Sequence, residues 1–247
     1  MDEGLLLKIG SVEDRHWWFA VRRRIVLDAL DSVSLPDTAR VIEIGCGTGG
    51  FLSYLQQAHP NWHLAGIEPS AAAVEVALGR GCRVTEGALP RLDLPNGIAD
   101  AVLALDVLEH CDNDTVAAAE IARVLKPGGW LVATVPALPS LWSVHDEDNA
   151  HFRRYTQRTL ESALASSGFA SWRITYFNMF LLPVGYASRF AANLTGSRRA
   201  LGVDAPPGWL NAGLRTVFSL EVPVLRRARM PVGMSLLVVA RTSEERS

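Results

Sequence analysis

The sequence predicts an α/β protein built on one doubly wound, mostly parallel sheet of seven strands with helices on both faces. Strand-like apolar runs alternate with helix-like segments from residue 40 to residue 135, which is typical of βαβ units. A glycine-rich turn directly follows the first of these runs. Apolar residues make up 49% of the 247 residues and charged residues 20%, so the chain can bury a core of ordinary size.

We expect three parts in the chain. Residues 1–36 form an N-terminal helical cap, and residues 37–176 and 234–243 form the core. Residues 177–233 form a late insertion that is rich in Pro, Gly, Arg and aromatic residues. At about sixty residues, this stretch is too long for a plain connection in a compact domain.

Short apolar runs predict the first three strands, and segments of helix-forming residues lie between them. Glycines end the first run, as expected for a tight strand-to-helix turn. The strands are predicted at residues 40–44, 62–67 and 82–85, and the helices at 51–58 and 71–78.

Four more strands complete the predicted sheet. The continuous apolar run at 101–105 predicts a central strand that is buried on both faces. Apolar residues then recur every three to four positions over 116–125, which predicts a helix that Lys126, Pro127 and two glycines end. The remaining strands are predicted at 130–135, 171–176 and 235–241, and a further helix at 156–167.

The cysteines and the apolar runs exclude several classes of protein. Three cysteines in no pattern exclude a disulfide framework and a four-cysteine zinc site, and they favour a reducing compartment. The N-terminal residues lack the basic and apolar regions of a signal peptide. No stretch reaches the roughly 18 apolar residues of a spanning helix. We therefore expect a cytoplasmic protein.

The glycine-rich turn at residues 43–50 is the most informative local pattern. Glycines at the carboxyl end of a first strand let the backbone turn tightly and approach a ligand closely. Gly45, Gly47 and Gly50 also match the dinucleotide fingerprint, and Glu68 lies 18 residues beyond Gly50. A carboxylate there can accept hydrogen bonds from the ribose of NAD or of S-adenosylmethionine equally, so both cofactors stay open on this evidence.

Four segments in a fixed order separate these alternatives. Residues 43–50, 66–70, 105–110 and 123–129 resemble the motifs of the class I S-adenosylmethionine-dependent methyltransferases. The resemblance covers roughly residues 38–136. It implies a Rossmann-like fold, S-adenosylmethionine as cofactor and S-adenosylhomocysteine as product.

The resemblance also assigns the cofactor site residue by residue. The glycine turn faces the methionine part, Glu68 binds the ribose hydroxyls, and Asp106 lies near the methionine amino group. Residues 87–89 lie against adenine, although this chain has Ala88 where many relatives carry a carboxylate or amide. The predicted cofactor-binding residues are Glu43, Gly45, Cys46, Gly47, Gly49, Glu68, Pro69, Gly87, Ala88, Leu89, Asp106 and Val107.

A second group of residues follows the fourth and fifth strands, where the acceptor pocket lies in this fold. The candidate catalytic residues are His151, His145 and Tyr155, and an imidazole at His151 suits a general base because it titrates near neutrality. The same region offers a metal set of Asp106, Glu109 and His110 with a later histidine. We favour the interpretation without a metal, in which Glu109 and His110 cap the following helix.

The sequence therefore predicts a methyltransferase that acts on a small-molecule or lipid-linked acceptor. A nicotinamide-dependent oxidoreductase and a non-catalytic, cofactor-binding partner subunit remain the alternatives. A pI near 6.3 and the lack of an aromatic-basic motif argue against nucleic acid as a partner.

The charge is distributed unevenly along the chain. Acidic residues outnumber basic ones 21 to 11 in residues 1–150, whereas basic residues outnumber acidic ones 13 to 5 in residues 151–247. Within the insertion, apolar segments lie beside Arg226, Arg227 and Arg229. Such a pattern suits an outer wall of the acceptor pocket that meets a lipid-linked substrate, with peripheral contact at the inner membrane surface. A lid packed on the domain or a homodimer contact is the alternative.

Overall fold

Seven strands form one sheet in the computed structural model, which describes residues 3–195 and 206–244. The strands are β1 Arg40–Ile44, β2 His63–Glu68, β3 Val84–Glu86, β4 Ala99–Leu105, β5 Leu125–Pro136, β6 Phe169–Phe177 and β7 Ser235–Thr242. Their order across the sheet is β3-β2-β1-β4-β5-β7-β6. Only β7 runs antiparallel to its neighbours, β5 and β6. The predicted α/β class and the mostly parallel, seven-stranded sheet are confirmed.

Ten α-helices accompany these strands within the described residues. They are α1 Glu3–Val12, α2 Trp17–Asp31, α3 Gly50–Ala58, α4 Ala71–Gly79, α5 Asp114–Val124, α6 Val144–Asp148, α7 Gln157–Ala165, α8 Leu182–Thr195, α9 Gly208–Ser219 and α10 Glu221–Leu225. One apolar cluster joins the sheet to α2, α3 and α9, and a second joins it to α5 and α7. Helices therefore cover both faces.

The sheet order positions the functional site. From β1 the chain moves outward to β2 and β3, and it then returns to β4 on the other side of β1. Ala101, Val102 and Leu103 of β4 are fully buried, as expected for a central strand covered on both faces. The reversal of order opens a crevice outside the carboxyl ends of β1 and β4, which is where open α/β sheets bind ligands.

The helix predicted from the apolar positions 116–125 lies at Asp114–Val124, so it begins two residues earlier and ends one residue earlier than those positions. It ends at Val124, and Leu125 begins β5, which the sequence placed at 130–135. The segment joins the sheet because Leu125 pairs with Ala99 and the hydroxyl of Thr242 donates to the carbonyl of Lys126 at 2.9 Å. The predicted stop of the helix before Lys126 is therefore confirmed, and the strand begins five residues earlier than predicted.

The N-terminal helices pack against the helices of the late segment. The ring of Trp18 stacks on Phe218 of α9 at 5.4 Å and on Phe177 at 5.8 Å. Asn211 of α9 accepts a hydrogen bond of 2.9 Å from the N–H of Trp17, at the start of α2. Residues 196–205 of the predicted insertion lie outside the described residues.

Length and composition of the helices bear on the predicted membrane contact. In residues 3–195 and 206–244, no helix is both long and apolar enough to cross a bilayer.

Arg226 forms two hydrogen bonds of 2.7 Å with the carboxylate of Asp28 on α2. Arg226, Arg227 and Arg229 line a second cavity, of about 340 Å³, together with Asp28. The charge of Arg226 is therefore already paired within the protein.

Candidate active site

The turn after β1 crosses the end of the sheet in a conformation that favours glycine. Gly45 and Gly47 have φ of 67° and 54°, in the left-handed region. The N–H groups of Gly45 and Cys46 donate to the carbonyl of Ile67 in β2, at 2.8 and 3.2 Å. A Cβ at Gly45 would lie 2.6 Å from Cγ2 of Val107, which follows β4. The turn is thus held between the ends of β2 and β4.

Glu68, the last residue of β2, is bonded to the same turn. Its carboxylate accepts the N–H of Gly47 at 2.8 Å and the N–H of Ser70 at 3.1 Å. Burial raises the pKa of Glu68, although both N–H groups lower it. Gly87, which follows β3, donates its N–H to the carbonyl of Glu68 at 3.2 Å. The structure therefore brings the glycine turn, Glu68 and the predicted adenine segment side by side.

A cavity of about 360 Å³ opens at the carboxyl ends of β1 and β4. Residues of α1 and α2, the glycine turn and segments after β4, β5 and β6 line it. Among the residues predicted from sequence, the lining includes Glu43, Gly45, Cys46, Gly47, Asp106, His145 and His151. It does not include Gly49, Glu68, Pro69, Gly87, Ala88, Leu89, Val107 or Tyr155.

Asp106 is tied to the N-terminal helices. Its φ is 59°, which is uncommon for a residue other than glycine. The carboxylate forms an ion pair with Arg22 of α2 and accepts a 3.0 Å hydrogen bond from the hydroxyl of Thr134. Sequence reasoning did not assign Arg22 to the site. Arg22 lies one helical turn after Trp18, so the two side chains share a face of α2, and both line the cavity. This spacing was the sequence signal for Arg22.

Glu43 lies in β1 behind the glycine turn and faces the cavity. Its side chain is 3% exposed, and its Oε2 has no hydrogen-bond partner among the described residues. Burial raises the pKa of Glu43 to about 8, because it outweighs the attraction of Arg22. Burial also raises the pKa of the Cys46 thiol far above its usual range, so that thiol stays neutral.

Glu109, His110 and His151 meet on the wall formed after β4 and β5. One ligand-type atom from each residue lies within 4.8 Å of those of the others. Phe152 donates its N–H to the carbonyl of Glu109 at 2.8 Å, which fixes the later loop to the turn. Burial lowers the pKa of His110 to about 4, so this imidazole is neutral at physiological pH.

The predicted capping role of Glu109 and His110 is wrong. The residue that caps α5 is Asn113, whose side chain accepts the N–H of Val116 at 3.1 Å. Glu109 and His110 belong to a separate 3₁₀ turn at Leu108–His110. Their side chains are therefore not needed to begin the helix, and both line the cavity instead.

Asp146 orients His151. Its Oδ1 lies 3.1 Å from Nδ1 of His151 and accepts a 2.7 Å hydrogen bond from Nε of Arg154. Asp146 is fully buried, and Arg154 also donates to the carbonyl of Ala137 at 2.8 Å. The contact with Asp146 at Nδ1 thus fixes the orientation of the His151 ring, and Nε2 is left for other partners. The sequence did not predict this role, because the conformation of the loop between Asp146 and His151 brings the two side chains together.

The two other catalytic candidates have different surroundings. His145 lines the cavity, and its Nε2 lies 3.3 Å from Nδ2 of Asn149. Tyr155 is 1% exposed and donates its hydroxyl to Asp114 at 2.9 Å. Burial raises the pKa of Tyr155 far above its usual range, so the phenol keeps its proton. The structure therefore brings His145 and His151 to the cavity and leaves Tyr155 outside its lining.

Comparisons with known proteins point to one family. A family model described as a methyltransferase domain matches residues 16–174. The 2-methyl-6-phytyl-1,4-hydroquinone methyltransferase of Synechocystis sp. is 26% identical over 229 residues, covering 82% of this chain and 67% of that protein. A Mus musculus protein named probable tRNA methyltransferase 9B is 33% identical over 143 residues, covering 53% of this chain and 29% of that protein.

A solved structure has a similar fold over nearly the whole chain. It is a chain of the complex between the Haloferax volcanii Trm112 methyltransferase activator and a methyltransferase, with a TM-score of 0.66 and 18% identity. The match covers 99% of this chain and 97% of that one. The chain spans less than half the length of the first curated relatives it matches, from 23% to 46%.

The family match covers more than half of the chain and includes both the glycine turn and the cluster around His151. A nicotinamide cofactor is therefore set aside, and S-adenosylmethionine is the cofactor. The chain belongs to the methyltransferase-domain family, within the class I S-adenosylmethionine-dependent methyltransferases.

Proposed function

We propose that the protein transfers the methyl group of S-adenosylmethionine to a small-molecule or lipid-linked acceptor that is uncharged where it enters the cavity. The observation that carries this proposal is the charge of the lining. The two arginines that line the cavity, Arg22 and Arg154, are both paired with carboxylates, and no lysine lies among the described lining residues. No unpaired lysine or arginine of the described lining is therefore left to hold an anionic acceptor.

The cofactor side follows from the contacts around the glycine turn. We infer that Glu68 binds the ribose hydroxyls, because each of its oxygens can accept a second hydrogen bond. Gly45, Gly47 and Glu43 would contact the methionine part, with Asp106 at its amino group. The sulfonium of the cofactor supplies an activated methyl group, so the protein needs only to align the acceptor and exclude water.

The acceptor side is the wall that carries His145 and His151. Both residues line the cavity together with Trp17 and Phe19, whose rings supply apolar contact. We place the nucleophilic atom of the acceptor beside His151, because Asp146 fixes the orientation of that ring. Tyr155 supports this wall from behind through Asp114 and Leu138, to whose N–H it offers its carbonyl at 3.0 Å.

Exposed apolar side chains beside the cavity support an acceptor with a hydrocarbon part. One set, Trp142, Val144 and Phe152, is adjacent in sequence to His145 and His151, and another, Phe180, Val184 and Tyr186, is adjacent to Gly185 of the lining. The hydroxyls of Ser140 and Tyr186 lie 3.0 Å apart and join the two sets. The Synechocystis relative, whose name gives a phytyl hydroquinone as its substrate, aligns with most of this chain.

The tRNA methyltransferases among the relatives suggest a different acceptor. They align with about half of this chain. An RNA acceptor fits the cavity less well, because binding a polyanion rests on unpaired lysines and arginines, and the described lining offers none.

Labelling of a fractionated extract tests the proposal. The purified protein is incubated with S-adenosylmethionine carrying a tritiated methyl group and with separate small-metabolite, lipid and RNA fractions. We expect label in the small-metabolite or lipid fraction and none without enzyme. Label transferred to RNA alone would contradict the proposed acceptor class.

A further inference from the structure

We propose that Glu109, His110 and His151 form a site for one divalent transition-metal ion of the zinc class. Two imidazoles and one carboxylate are a ligand set that such ions prefer. The three side chains come from the turn after β4 and from the loop before α7, and all line the same cavity.

The spacing of the three side chains suits one ion after a small closure. Their ligand-type atoms lie within 4.8 Å of one another. Ligand atoms around a tetrahedral zinc ion lie about 3.3–3.5 Å apart, since each bond is about 2.0–2.2 Å long. Side-chain rotations that move these atoms by roughly an ångström would bring all three within bonding distance of one ion. The hydrogen bond from the N–H of Phe152 to the carbonyl of Glu109 keeps the two parts of the site together.

An unsatisfied carboxylate oxygen points independently to a ligand. Glu109 is 1% exposed, and its Oε2 has no hydrogen-bond partner among the described residues. A buried carboxylate without a partner is costly, and a bound cation removes that cost. The two arginines whose charges act on Glu109 do not supply a partner for this oxygen, because Arg22 is paired with Asp106 and Arg154 with Asp146.

The surroundings of the imidazoles match those of metal ligands. A metal-bound histidine usually donates its other ring N–H to a carboxylate or a backbone carbonyl. Nδ1 of His151 faces the buried carboxylate of Asp146 at 3.1 Å, which leaves Nε2 for the ion. His110 has a hydrogen bond with the backbone carbonyl of Ala150. Both imidazole rings therefore have the second hydrogen-bond partner that a metal-bound histidine usually has.

Three protein ligands leave coordination positions open, as in catalytic rather than structural zinc sites. In the proposed function, which this part of the inference takes as given, the ion would bind an oxygen of the acceptor and favour its deprotonated form. Binding of the ion itself does not depend on the identity of the acceptor or on the cofactor.

Calorimetric titration of the chelator-treated protein with Zn²⁺, without S-adenosylmethionine, tests the site. We expect one ion per chain with micromolar or tighter affinity. The variants Glu109→Gln, His110→Gln and His151→Gln should each weaken binding at least tenfold, since even outer-shell changes cost about 10–100-fold. His145→Gln, which changes another cavity histidine, and His63→Gln, at an exposed position in β2, should keep the affinity.

A second measurement keeps the proposal falsifiable if a cluster variant fails to fold. In the wild-type protein, Zn²⁺ should shift the ring NMR signals of His110 and His151 and leave those of His63 unchanged. Absence of binding at millimolar Zn²⁺, or equal loss of affinity in the His63→Gln or His145→Gln variant, would overturn the proposal. Failure of methyl transfer with intact Zn²⁺ binding would count against the proposed function alone.

Discussion

The carboxylate of Asp106 at the end of β4 forms an ion pair with Arg22 of α2. Asp106 belongs to the motif that the resemblance places near the methionine amino group, and Arg22 belongs to the predicted N-terminal cap. The pair therefore connects the cap directly to the cofactor side of the cavity. It also places a positive charge close to the proposed binding site of the positively charged cofactor.

Removal of that charge should favour S-adenosylmethionine over S-adenosylhomocysteine. The two differ by the sulfonium charge, which Arg22 repels, so Arg22→Met should change the ratio of their dissociation constants by roughly 3- to 10-fold toward S-adenosylmethionine. Calorimetric titration with each ligand measures the ratio. Arg22→Lys keeps the charge and should leave it unchanged; an unchanged ratio in Arg22→Met would contradict the placement of the sulfonium.

Glu68→Gln should weaken S-adenosylmethionine binding by roughly 10- to 150-fold, because a charge-assisted hydrogen bond contributes about 1.5–3 kcal/mol. The amide keeps an oxygen for the N–H of Gly47 and loses the acceptor for the N–H of Ser70, so the glycine turn should hold its shape. Glu86→Gln is a matched control, because Glu86 pairs with Glu68 in the sheet and is exposed. Equal affinity of both variants and the wild type would remove Glu68 from the cofactor site.

Glu43 should make the stability of the protein depend on pH. Its pKa is raised to about 8 in the folded protein, against 4.5 in the unfolded chain. The folded state therefore holds the proton more tightly, and this contribution is full below pH 4.5 and is lost as the pH rises to 8. By linkage, the loss amounts to at most about 4–5 kcal/mol.

Urea unfolding of the wild type and of Glu43→Gln at several pH values isolates this effect. The amide cannot ionise, so the variant should gain free energy of unfolding relative to the wild type as the pH rises from 5 to 8. A difference between the two proteins that stays constant over this range would show that Glu43 ionises normally.

Tyr155→Phe should lower the free energy of unfolding by about 1 kcal/mol, since the variant loses one hydrogen bond to Asp114. Chemical denaturation measures the change. Cofactor affinity should stay the same, because Tyr155 is absent from the cavity lining. A large loss of cofactor affinity with unchanged stability would place the phenol at the site instead.

The sequence predicted the sheet because its signals are local. Apolar runs, helix-forming segments and glycine turns each lie within about ten residues, and together they identified all seven strands. The end of α5 was the exception. Leu125 pairs with Ala99 across the sheet, and nothing in its immediate neighbourhood shows that contact.

Only those residues of the candidate site that belong to a sequence motif could be predicted from the sequence. The glycine turn and Glu68 followed from spacing, and the structure brings them into contact at 2.8 Å. Arg22 is 84 positions from Asp106, and Arg226 is 198 positions from Asp28, so neither pairing has a sequence signal. The buried, unpartnered oxygen of Glu109 likewise has no sequence signal, because its burial depends on the tertiary structure around it.

A crystal structure with bound S-adenosylhomocysteine tests the proposed cofactor site. We expect the ribose hydroxyls within hydrogen-bonding distance of Glu68, the amino group near Asp106, and the sulfur facing the cavity wall that carries Glu109 and His151. Density for the ligand away from the carboxyl ends of β1 and β4, or a sulfur that points away from that wall, would contradict it.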